Sequence, residues 1–449
     1  MVHRAPDAVR SLSERCDLFF LNSFEADTIF GDTDPPVRPG QILVVTRGSA
    51  GADVYQGGSR TRVPCCPSTP VDLTGAGDSV CGGTLAGLAA GQHPTRAVAL
   101  GAAVAALTIE APGMWKLLAT DTAAIRDRLG ALRDRRAVVD TTQVRRMAGL
   151  VAQLPEVKGF DFTGPLFPAV GDEGALDYFF AVMLHQFGFW SPSNGAYGQP
   201  TYATMAGHRL KGSDYCFAAY LRALQRNPEE LTPRGQANLR WQDTEALFRD
   251  DAGAVPMPVL ANHHALARGY GRDMWELGWT PASLVAQARQ AERPVRWLLQ
   301  ALDHLSGYRE DPLRKKSMLL VLALQQRPER WLDPDDQRDM TPVIDYHLMR
   351  SCLRTGLVQV RDHGLRGQLE SRRLVTQADE LAVRLACYDA IEALAAESGR
   401  SIGAVDWFFF GARRRCPEMS EPECAACPVD AVCAHDKAMF QPVLRTTFY

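Results

Sequence analysis

The chain has 449 residues, of which 46% are hydrophobic and 22% are charged, and its formal net charge is −3. This length and apolar content can build two cores, and the near-neutral charge argues against a broad nucleic-acid-binding surface. No apolar run reaches the roughly 18 residues that cross a bilayer, and the eleven cysteines are scattered as in a reducing compartment, so a cytoplasmic protein without a membrane partner is expected.

The amino-terminal elements alternate apolar strands with turns rich in glycine and acidic residues. Two strands are predicted, in DLFFLNSFEADTIFG from Asp17 and in ILVVTRGSAGADVY from Ile42. PVDLTGAGDSVCGGTLAGLAAG then places Asp78 behind the small residues 75–77 and at the start of a small-residue helix. Such a turn lets backbone N–H groups hold a phosphate while the carboxylate accepts a proton from a hydroxyl. An ordinary strand-to-helix turn has the same pattern.

This ordered set of motifs resembles the carboxy-terminal half of the ribokinase-like sugar and nucleoside kinases. The resemblance implies an α/β fold over residues 1–114, use of ATP and Mg²⁺, and Asp78 as the catalytic base. It carries nucleotide and magnesium roles onto Asn22, Glu25, Thr46, Gly48, Gly51, Gly75 and Gly77. Such kinases place their sugar-binding residues in an amino-terminal half that does not precede the motif here. We therefore expect a kinase remnant, or a chain whose start lies upstream, without kinase activity of its own.

A charged segment follows the kinase-like region. Residues 115–143, which include AAIRDRLGALRDRR, predict a helical linker, or alternatively the last helices of the kinase. From 144 to 449 the apolar residues recur at helical spacing, as in ALDYFFAVMLHQFGFW and PVRWLLQALDHL. Because strand-like alternation is nearly absent, this second domain is expected to be all α-helical.

Six fragments of the second domain follow one another in a distinctive order: HQFGFW, LKGSDYCFAAYLRAL, ALFRDDAGAVPMPVL, GYREDP, MTPVIDYHLMRSCLRTGLV and VLRTTFY. The series resembles the queuosine salvage protein family, which hydrolyses the N-glycosidic bond of queuosine 5′-phosphate. The resemblance implies an N-glycosidase for a small-molecule substrate, a 5′-phosphorylated 7-deazaguanine nucleoside. Two departures leave room for a different base: the family's aromatic-and-lysine stretch is the apolar SMLLVLALQ here, and the helix after Asp345 reads YHLMR.

Cleavage of an N-glycosidic bond passes through an oxocarbenium-like sugar, which a nearby carboxylate stabilises. By resemblance, Asp251 lies near the sugar and Asp345 contacts the base, with the two roles open to exchange. Asp250 replaces Asp251 if the alignment shifts by one residue. Phe187 and Trp190 are the candidates for stacking on the base. Surface or capping roles for the carboxylates, and core positions for the aromatic residues, are the structural alternatives.

The last cysteines form a compact group in CPEMSEPECAACPVDAVC. Four thiols this close in a proline-containing loop indicate a metal site, residues 416–433, with the ligands Cys416, Cys424, Cys427 and Cys433. Their spacing resembles the [4Fe–4S] loop of the helix-hairpin-helix DNA glycosylases, with one residue of difference in the first gap; zinc is the alternative.

That loop supplies a second hypothesis for the function, a base-excision DNA glycosylase with a DNA-glycosylase-like helical domain. The near-neutral charge and the lack of a recognisable LPGVG-type hairpin argue against DNA as a partner. A binding module that has lost catalysis is the third hypothesis. The sequence contains no signal for a particular oligomeric state.

Overall fold

The computed structural model describes residues 4–31, 33–57, 59–131 and 135–449. The chain divides into two compact units: unit 1 comprises Met1–Asp134 with Gln300–His304, and unit 2 comprises Arg135–Leu299 with Leu305–Tyr449. No helix in the described ranges combines the length and the apolar character that a membrane crossing requires.

Unit 1 is an α/β structure with one four-stranded sheet in the order β1–β2–β3–β4. The strands are β1 Leu18–Asn22, β2 Ile42–Thr46, β3 Ala52–Gln56 and β4 Ser59–Val63. β1 and β2 run parallel, whereas β3 and β4 continue the sheet in antiparallel fashion. The parallel register sets Asn22 opposite Thr46, so the ends of the two predicted strands meet at one edge of the sheet.

Six helices belong to unit 1: α1 Pro6–Ser13, α2 Ser23–Phe30, α3 Ala76–Ala89, α4 Pro94–Thr108, α5 Trp115–Leu118 and α6 Thr122–Ala131. They cover both faces of the sheet. Leu43 and Val45 of β2 pack with α1 and α2, while Ile42 and Val44 pack with Val98 of α4. Because both faces of β2 are covered, its sequence is continuously apolar and does not alternate.

The segment predicted as a linker, 115–143, is shared between the units. Its helices α5 and α6 contact α4, as the last helices of a kinase-like domain would. Its final part contains strand β5, Ala137–Val139, and the start of helix α7, Thr141–Val151, both of which lie in unit 2. The division between the units therefore falls inside this segment.

Unit 2 is largely helical. After α7 its helices are α8 Ala175–Met183, α9 Ser213–Arg226, α10 Pro233–Ala237, α11 Trp241–Leu247, α12 Leu260–Glu276, α13 Pro281–Gln290, α14 Pro294–Leu302 (its last three residues belong to unit 1), α15 Lys315–Gln326, α16 Tyr346–Thr355, α17 His363–Glu370, α18 Gln377–Ser398 and α19 Ile402–Gly411. Helices α7, α16, α18 and α19 share one apolar core. The longest of them, α18, begins with a capping box between Thr376 and Asp379.

The expectation of an all-helical second domain is wrong in one respect. Five further strands, β6 Trp190–Ser193, β7 Ala196–Pro200, β8 Tyr202–Met205, β9 His208–Lys211 and β10 Val358–Val360, form with β5 three two-stranded antiparallel sheets. The hairpin between β6 and β7 turns at Asn194 and Gly195, which have φ angles of 50° and 72°. An Asn-Gly pair that adopts positive φ is a strong hairpin signal, and the helical periodicity of the neighbouring segments obscured it.

Candidate active site

Unit 2 contains a cavity of about 200 Å³ with largely aromatic walls. Phe160 and Trp407 stack with ring centroids 4.0 Å apart and an interplanar angle of 10°. Phe162, Phe167 and Phe410 extend the same wall. Flat apolar surfaces of this kind suit a planar heterocycle.

Asp345, one of the two predicted catalytic carboxylates, lines this cavity. It is the N-cap of α16, where Oδ1 accepts hydrogen bonds from the backbone N–H groups of His347 and Leu348 at 2.8 and 3.0 Å. The side chain is therefore held in one orientation. Its second oxygen, Oδ2, accepts no hydrogen bond from the described part of the chain, which leaves that atom available to a ligand.

A second acidic group of the cavity, Asp406 of α19, was missed by the sequence analysis. Burial raises the pKa of the Asp406 carboxyl well above its ordinary value, and the charge of Asp345 raises it further. Oδ2 accepts a hydrogen bond of 2.9 Å from the Val343 N–H, whereas Oδ1 has no partner among the described residues. The environment thus favours the protonated acid, which can donate a proton. An acidic residue inside the apolar run IGAVDWFFFG was the available sequence signal.

Lys315, at the start of α15, is the third buried ionisable group of the cavity. Its ammonium donates a hydrogen bond of 2.9 Å to the Gln186 carbonyl. Burial lowers the pKa of the Lys315 ammonium to about 8, against the opposing effect of the Asp345 carboxylate. The apolar stretch SMLLVLALQ in α15 gave no sign of the two buried lysines, Lys315 and Lys316, that begin this helix.

Two arginines stand where α19 ends and also line the cavity. Arg413 lies over the Phe410 ring at 3.9 Å and 3.5 Å from an Asp214 carboxylate oxygen. Arg414 is exposed, and the described residues offer it no ion pair or hydrogen bond. A pair of guanidinium groups in this position can bind a phosphate.

The other predicted carboxylates lie outside the cavity lining. Asp251 is exposed, and its oxygens accept hydrogen bonds from the backbone N–H groups of Ala206 and Gly207 at 3.2 and 2.9 Å. It thereby holds the turn between β8 and β9. Asp250 accepts hydrogen bonds from the N–H groups of Ala252 and Ala254. Both carboxylates make local contacts with turn backbone, as expected for a surface or capping role. The structure does not bring either of them together with Asp345.

The two predicted stacking residues are also outside that lining. Phe187 is fully buried and stacks on His263, with centroids 4.2 Å apart. Trp190 packs against Tyr197 in a small core cluster and carries the Arg445 guanidinium 4.1 Å above its ring. The aromatic residues that line the cavity are others, Phe160 and Trp407 among them.

The four predicted metal ligands converge on one cavity of about 50 Å³ at the end of α16. The His435 N–H donates to the Cys433 Sγ at 3.4 Å, and Arg354 Nη1 donates to the Cys416 Sγ at 3.3 Å. The ligand atoms of Cys424, Asp430 and His435 lie within 4.8 Å of one another, and Cys424 is the one predicted ligand in that group. The four-cysteine metal site and its [4Fe–4S] and zinc assignments stay predictions.

In unit 1 the predicted phosphate and magnesium residues lie at the carboxyl ends of β1 and β2. Asn22 and Glu25 form a reciprocal capping box for α2, with two hydrogen bonds of 2.9 Å. Thr46 Oγ1 donates to the Leu21 carbonyl at 3.4 Å. The Asn22–Glu25 pair thus has a structural role whatever it binds, and Oε1 of Glu25 remains without a partner in the described ranges.

The predicted glycines fall into two groups. Gly48 and Gly51 have φ angles of 55° and 88°, and a Cβ on Gly51 would lie 2.1 Å from the Val63 carbonyl oxygen. Only glycine fits that position. Gly75 has a φ of 81° and precedes α3, so that Gly77 and the exposed Asp78 lie in the first helical turn. This is the arrangement in which backbone N–H groups and a carboxylate face a common ligand.

The sequence profile of the pfkB family carbohydrate kinases matches residues 2–119. The amino-terminal region is therefore similar to the pfkB family over residues 2–119. The chain is similar to the cytidine kinase of Thermococcus kodakarensis, with 32% identity over 120 residues that cover 25% of this chain and 43% of that kinase. The nucleoside kinase of Methanocaldococcus jannaschii is 30% identical over 105 residues, 22% of this chain and 35% of that kinase. The chain spans about two fifths of the length of these relatives.

The chain is also similar to parts of two solved structures. The crystal structure of the M. jannaschii nucleoside kinase, an archaeal member of the ribokinase family, shares 25% identity at a TM-score of 0.26 and covers 28% of this chain and 43% of that one. A putative ribokinase II from E. coli in complex with ATP and Mg²⁺ shares 24% identity at a TM-score of 0.26, over 29% and 44% of the chains. Both have kinase names, as the curated relatives do.

Proposed function

We propose that unit 2 hydrolyses the N-glycosidic bond of a 5′-phosphorylated nucleoside, of the 7-deazaguanine class by its resemblance to queuosine salvage proteins. One observation carries the proposal: two carboxyl groups in contrasting environments, Asp345 and Asp406, line one aromatic cavity. The first accepts two backbone hydrogen bonds at the start of α16, and the second is buried so that the acid is favoured. Such a pair supplies a base and an acid at one pH.

The reaction assigns one role to each group. Asp345 Oδ2 stabilises the positive charge that develops on the sugar and accepts a proton from the attacking water. The C1′–N bond breaks and its electron pair goes to the base, which takes the proton of Asp406. The products are a free base and ribose 5-phosphate, and proton exchange with solvent restores both carboxyl groups. The sequence prediction favoured Asp251 near the sugar and Asp345 on the base, with the roles open to exchange. The scheme places Asp345 near the sugar, gives the role on the base to Asp406, and leaves out Asp251.

The remaining cavity residues bind the substrate. Phe160 and Trp407, which stack on each other, flank the planar base, and Arg413 with Arg414 takes the 5′-phosphate. Binding energy from the phosphate holds the sugar in its reactive geometry. The unphosphorylated nucleoside is therefore expected to be a much poorer substrate.

The experiment measures release of 7-deazaguanine from its ribonucleoside 5′-phosphate by chromatography. Asp345→Asn should lower kcat by on the order of 10² to 10⁴, because the charge that stabilises the transition state is lost. Asp406→Asn should lower it by about 10² or more, because the amide cannot give up a proton.

Asp251→Asn provides the matched comparison, since it is the same substitution at an exposed position outside the cavity. We expect turnover near that of the parent. Loss of activity in Asp251→Asn with full activity in Asp345→Asn would restore the assignment made from the sequence. Base release from a damaged DNA duplex, without base release from the free nucleotide, would favour the DNA glycosylase hypothesis.

For unit 1 we propose binding of a nucleoside triphosphate with Mg²⁺ at the edge formed by Asn22, Thr46 and the turn before Asp78. The observation that favours it is the left-handed Gly75, which begins a helix of fourteen residues, together with the kinase relatives. The matched segment accounts for 43% of the cytidine kinase. The proposal is therefore limited to nucleotide binding and does not extend to phosphoryl transfer. Calorimetric titration with ATP and Mg²⁺ should show binding, without phosphorylation of cytidine above the level of Asp78→Asn. Robust transfer that Asp78→Asn abolishes would instead make unit 1 a working kinase.

A further inference from the structure

Helix α16 connects the aromatic cavity with the cysteine loop, residues 416–433. At its start, Asp345 and His347 line the cavity. At its end, the Arg354 guanidinium donates to the Cys416 Sγ and, at 2.8 Å, to the Pro417 carbonyl. The ten residues of α16 span about 15 Å. A rigid element thus joins the loop to the residues that would contact a ligand.

A second connection runs through buried charges beside the helix. Glu418 lies two residues after Cys416, and its Oε2 is 3.5 Å from Nη1 of Arg350. The same Nη1 donates a hydrogen bond of 2.8 Å to Gln441 Oε1, and Nη2 lies 2.9 Å from Nδ1 of His347. All four side chains are buried. Since a buried guanidinium is costly to leave unpaired, Glu418 and Gln441 fix the position from which Arg350 contacts the imidazole.

The contact with Arg350 determines where His347 carries its proton. A guanidinium has donors only, so Nδ1 must be the acceptor and bears no hydrogen. Burial lowers the pKa of the His347 imidazole well below its ordinary value, and the Arg350 charge lowers it further. The neutral ring therefore has its proton on Nε2. The described residues offer that N–H no acceptor, and the side chain lines the cavity.

We propose that His347 recognises the base by donating its Nε2–H to a carbonyl oxygen, and that Glu418 of the cysteine loop is a positioning residue that acts through Arg350. The inference rests on the proposed function for the location of the base. A neutral donor selects a carbonyl-bearing heterocycle, because an amino group in the same place would put donor against donor. It also explains the departure YHLMR: histidine and arginine at positions 347 and 350 act as one pair.

Binding of free bases tests the proposal without catalysis. The full-length protein is titrated calorimetrically with 7-deazaguanine and with 2,6-diamino-7-deazapurine, which replaces the carbonyl by an amino group. The parent should bind the carbonyl compound about 10-fold more tightly. His347→Phe keeps a planar ring without the N–H, so the ratio should fall towards one. An unchanged ratio would overturn the role of His347.

The positioning role of Glu418 has its own comparison. Glu418→Gln should lower the affinity for 7-deazaguanine about 3-fold or more, since Arg350 loses its buried counter-charge. Glu421→Gln is the control: it is the same change in the same loop, on a side chain that is 90% exposed, and it should leave the affinity unaltered. Equal affinities in both variants would overturn the positioning role.

Nitrogen NMR of histidine-labelled protein provides a readout that a merely structural role would not move. The signals of His347 are assigned as those that disappear in His347→Phe. In the parent they should show an unprotonated Nδ1 and a protonated Nε2. In Arg350→Met they should show a mixture of tautomers. A proton on Nδ1 in the parent would overturn the inference even if a Glu418 variant failed to fold. Carbonyl-selective binding without any base release would instead leave this inference standing and remove the proposed hydrolysis.

Discussion

The Asp406 carboxyl links stability to pH in a way that distinguishes an acid from an ordinary buried carboxylate. Because its pKa is raised in the fold, the folded protein binds one proton that the unfolded chain releases above the ordinary value of 3.8. The free energy of unfolding then falls as pH rises. Asp406→Asn keeps the acceptor for the Val343 N–H and removes the titration, so it should stabilise unit 2 at neutral pH.

The size of the effect follows from the protonation difference. One proton bound by the folded state alone gives a slope of about 1.4 kcal/mol per pH unit. Above the ordinary value of 3.8, the stability advantage of Asp406→Asn over the parent should therefore grow with pH, by at most about 1.4 kcal/mol per pH unit. The increase ends at the pH where the folded carboxyl ionises. Well below pH 3.8, where the carboxyl is protonated in the unfolded chain as well, this contribution to the difference between the two proteins should vanish.

Urea unfolding followed by tryptophan fluorescence measures this difference. Seven of the eight tryptophans belong to unit 2, and a Trp115→Phe background removes the one in unit 1. At each pH, the free energy of unfolding of the parent is subtracted from that of the variant, so that the contributions of the other titrating groups cancel. A difference that stays constant from pH 4 to pH 7 would mean that Asp406 is ionised in the fold, and the proposed acid role would then fail.

Three further predictions concern the metal site and the two folds. Protein purified without oxygen should carry about four irons per chain, which Cys427→Ser should reduce; stoichiometric zinc without iron would contradict the cluster. Arg384→Met should lower the free energy of unfolding of unit 2 by about 3–5 kcal/mol, because Asp311, which accepts two hydrogen bonds of 2.7 Å from Arg384, is fully buried; a loss below about 1 kcal/mol in urea unfolding would contradict this. Gly51→Ala should accelerate hydrogen exchange in β2 and β3, since its Cβ would lie 2.1 Å from the Val63 carbonyl oxygen; unchanged protection would refute it.

The sequence predicted the parts of the fold that local patterns encode. The strand in ILVVT and the turn before Asp78 follow from an apolar run and from glycines, and both are present. In unit 2 the helical spacing of the apolar residues was sufficient for its largely helical character. The hairpins β6–β7 and β8–β9 were missed because each strand has only four or five residues, too few for a periodicity to appear.

The candidate site was harder to predict because its residues are distant in sequence. Asp345 could be named from a motif that contains it. Asp406 and Lys315 come from separate helices, and their importance lies in burial and in missing partners, which only the tertiary structure defines. Asp251 shows the reverse case: the FRDD fragment is conspicuous in the sequence, yet its carboxylate accepts hydrogen bonds from a turn.

A buried oxygen without a partner favours a ligand in the aromatic cavity. Away from the cavity, some buried charges are paired, as Arg384 is with Asp311 and Arg327 with Glu329, whereas Tyr220 Oη and Glu310 Oε2 have no partner among the described residues. Inside it, Asp406 Oδ1 has no partner among the described residues, although an unsatisfied buried oxygen costs about 1–3 kcal/mol. An apolar residue at position 406 would avoid that cost. The cost is understandable if a bound base accepts the proton of that acid.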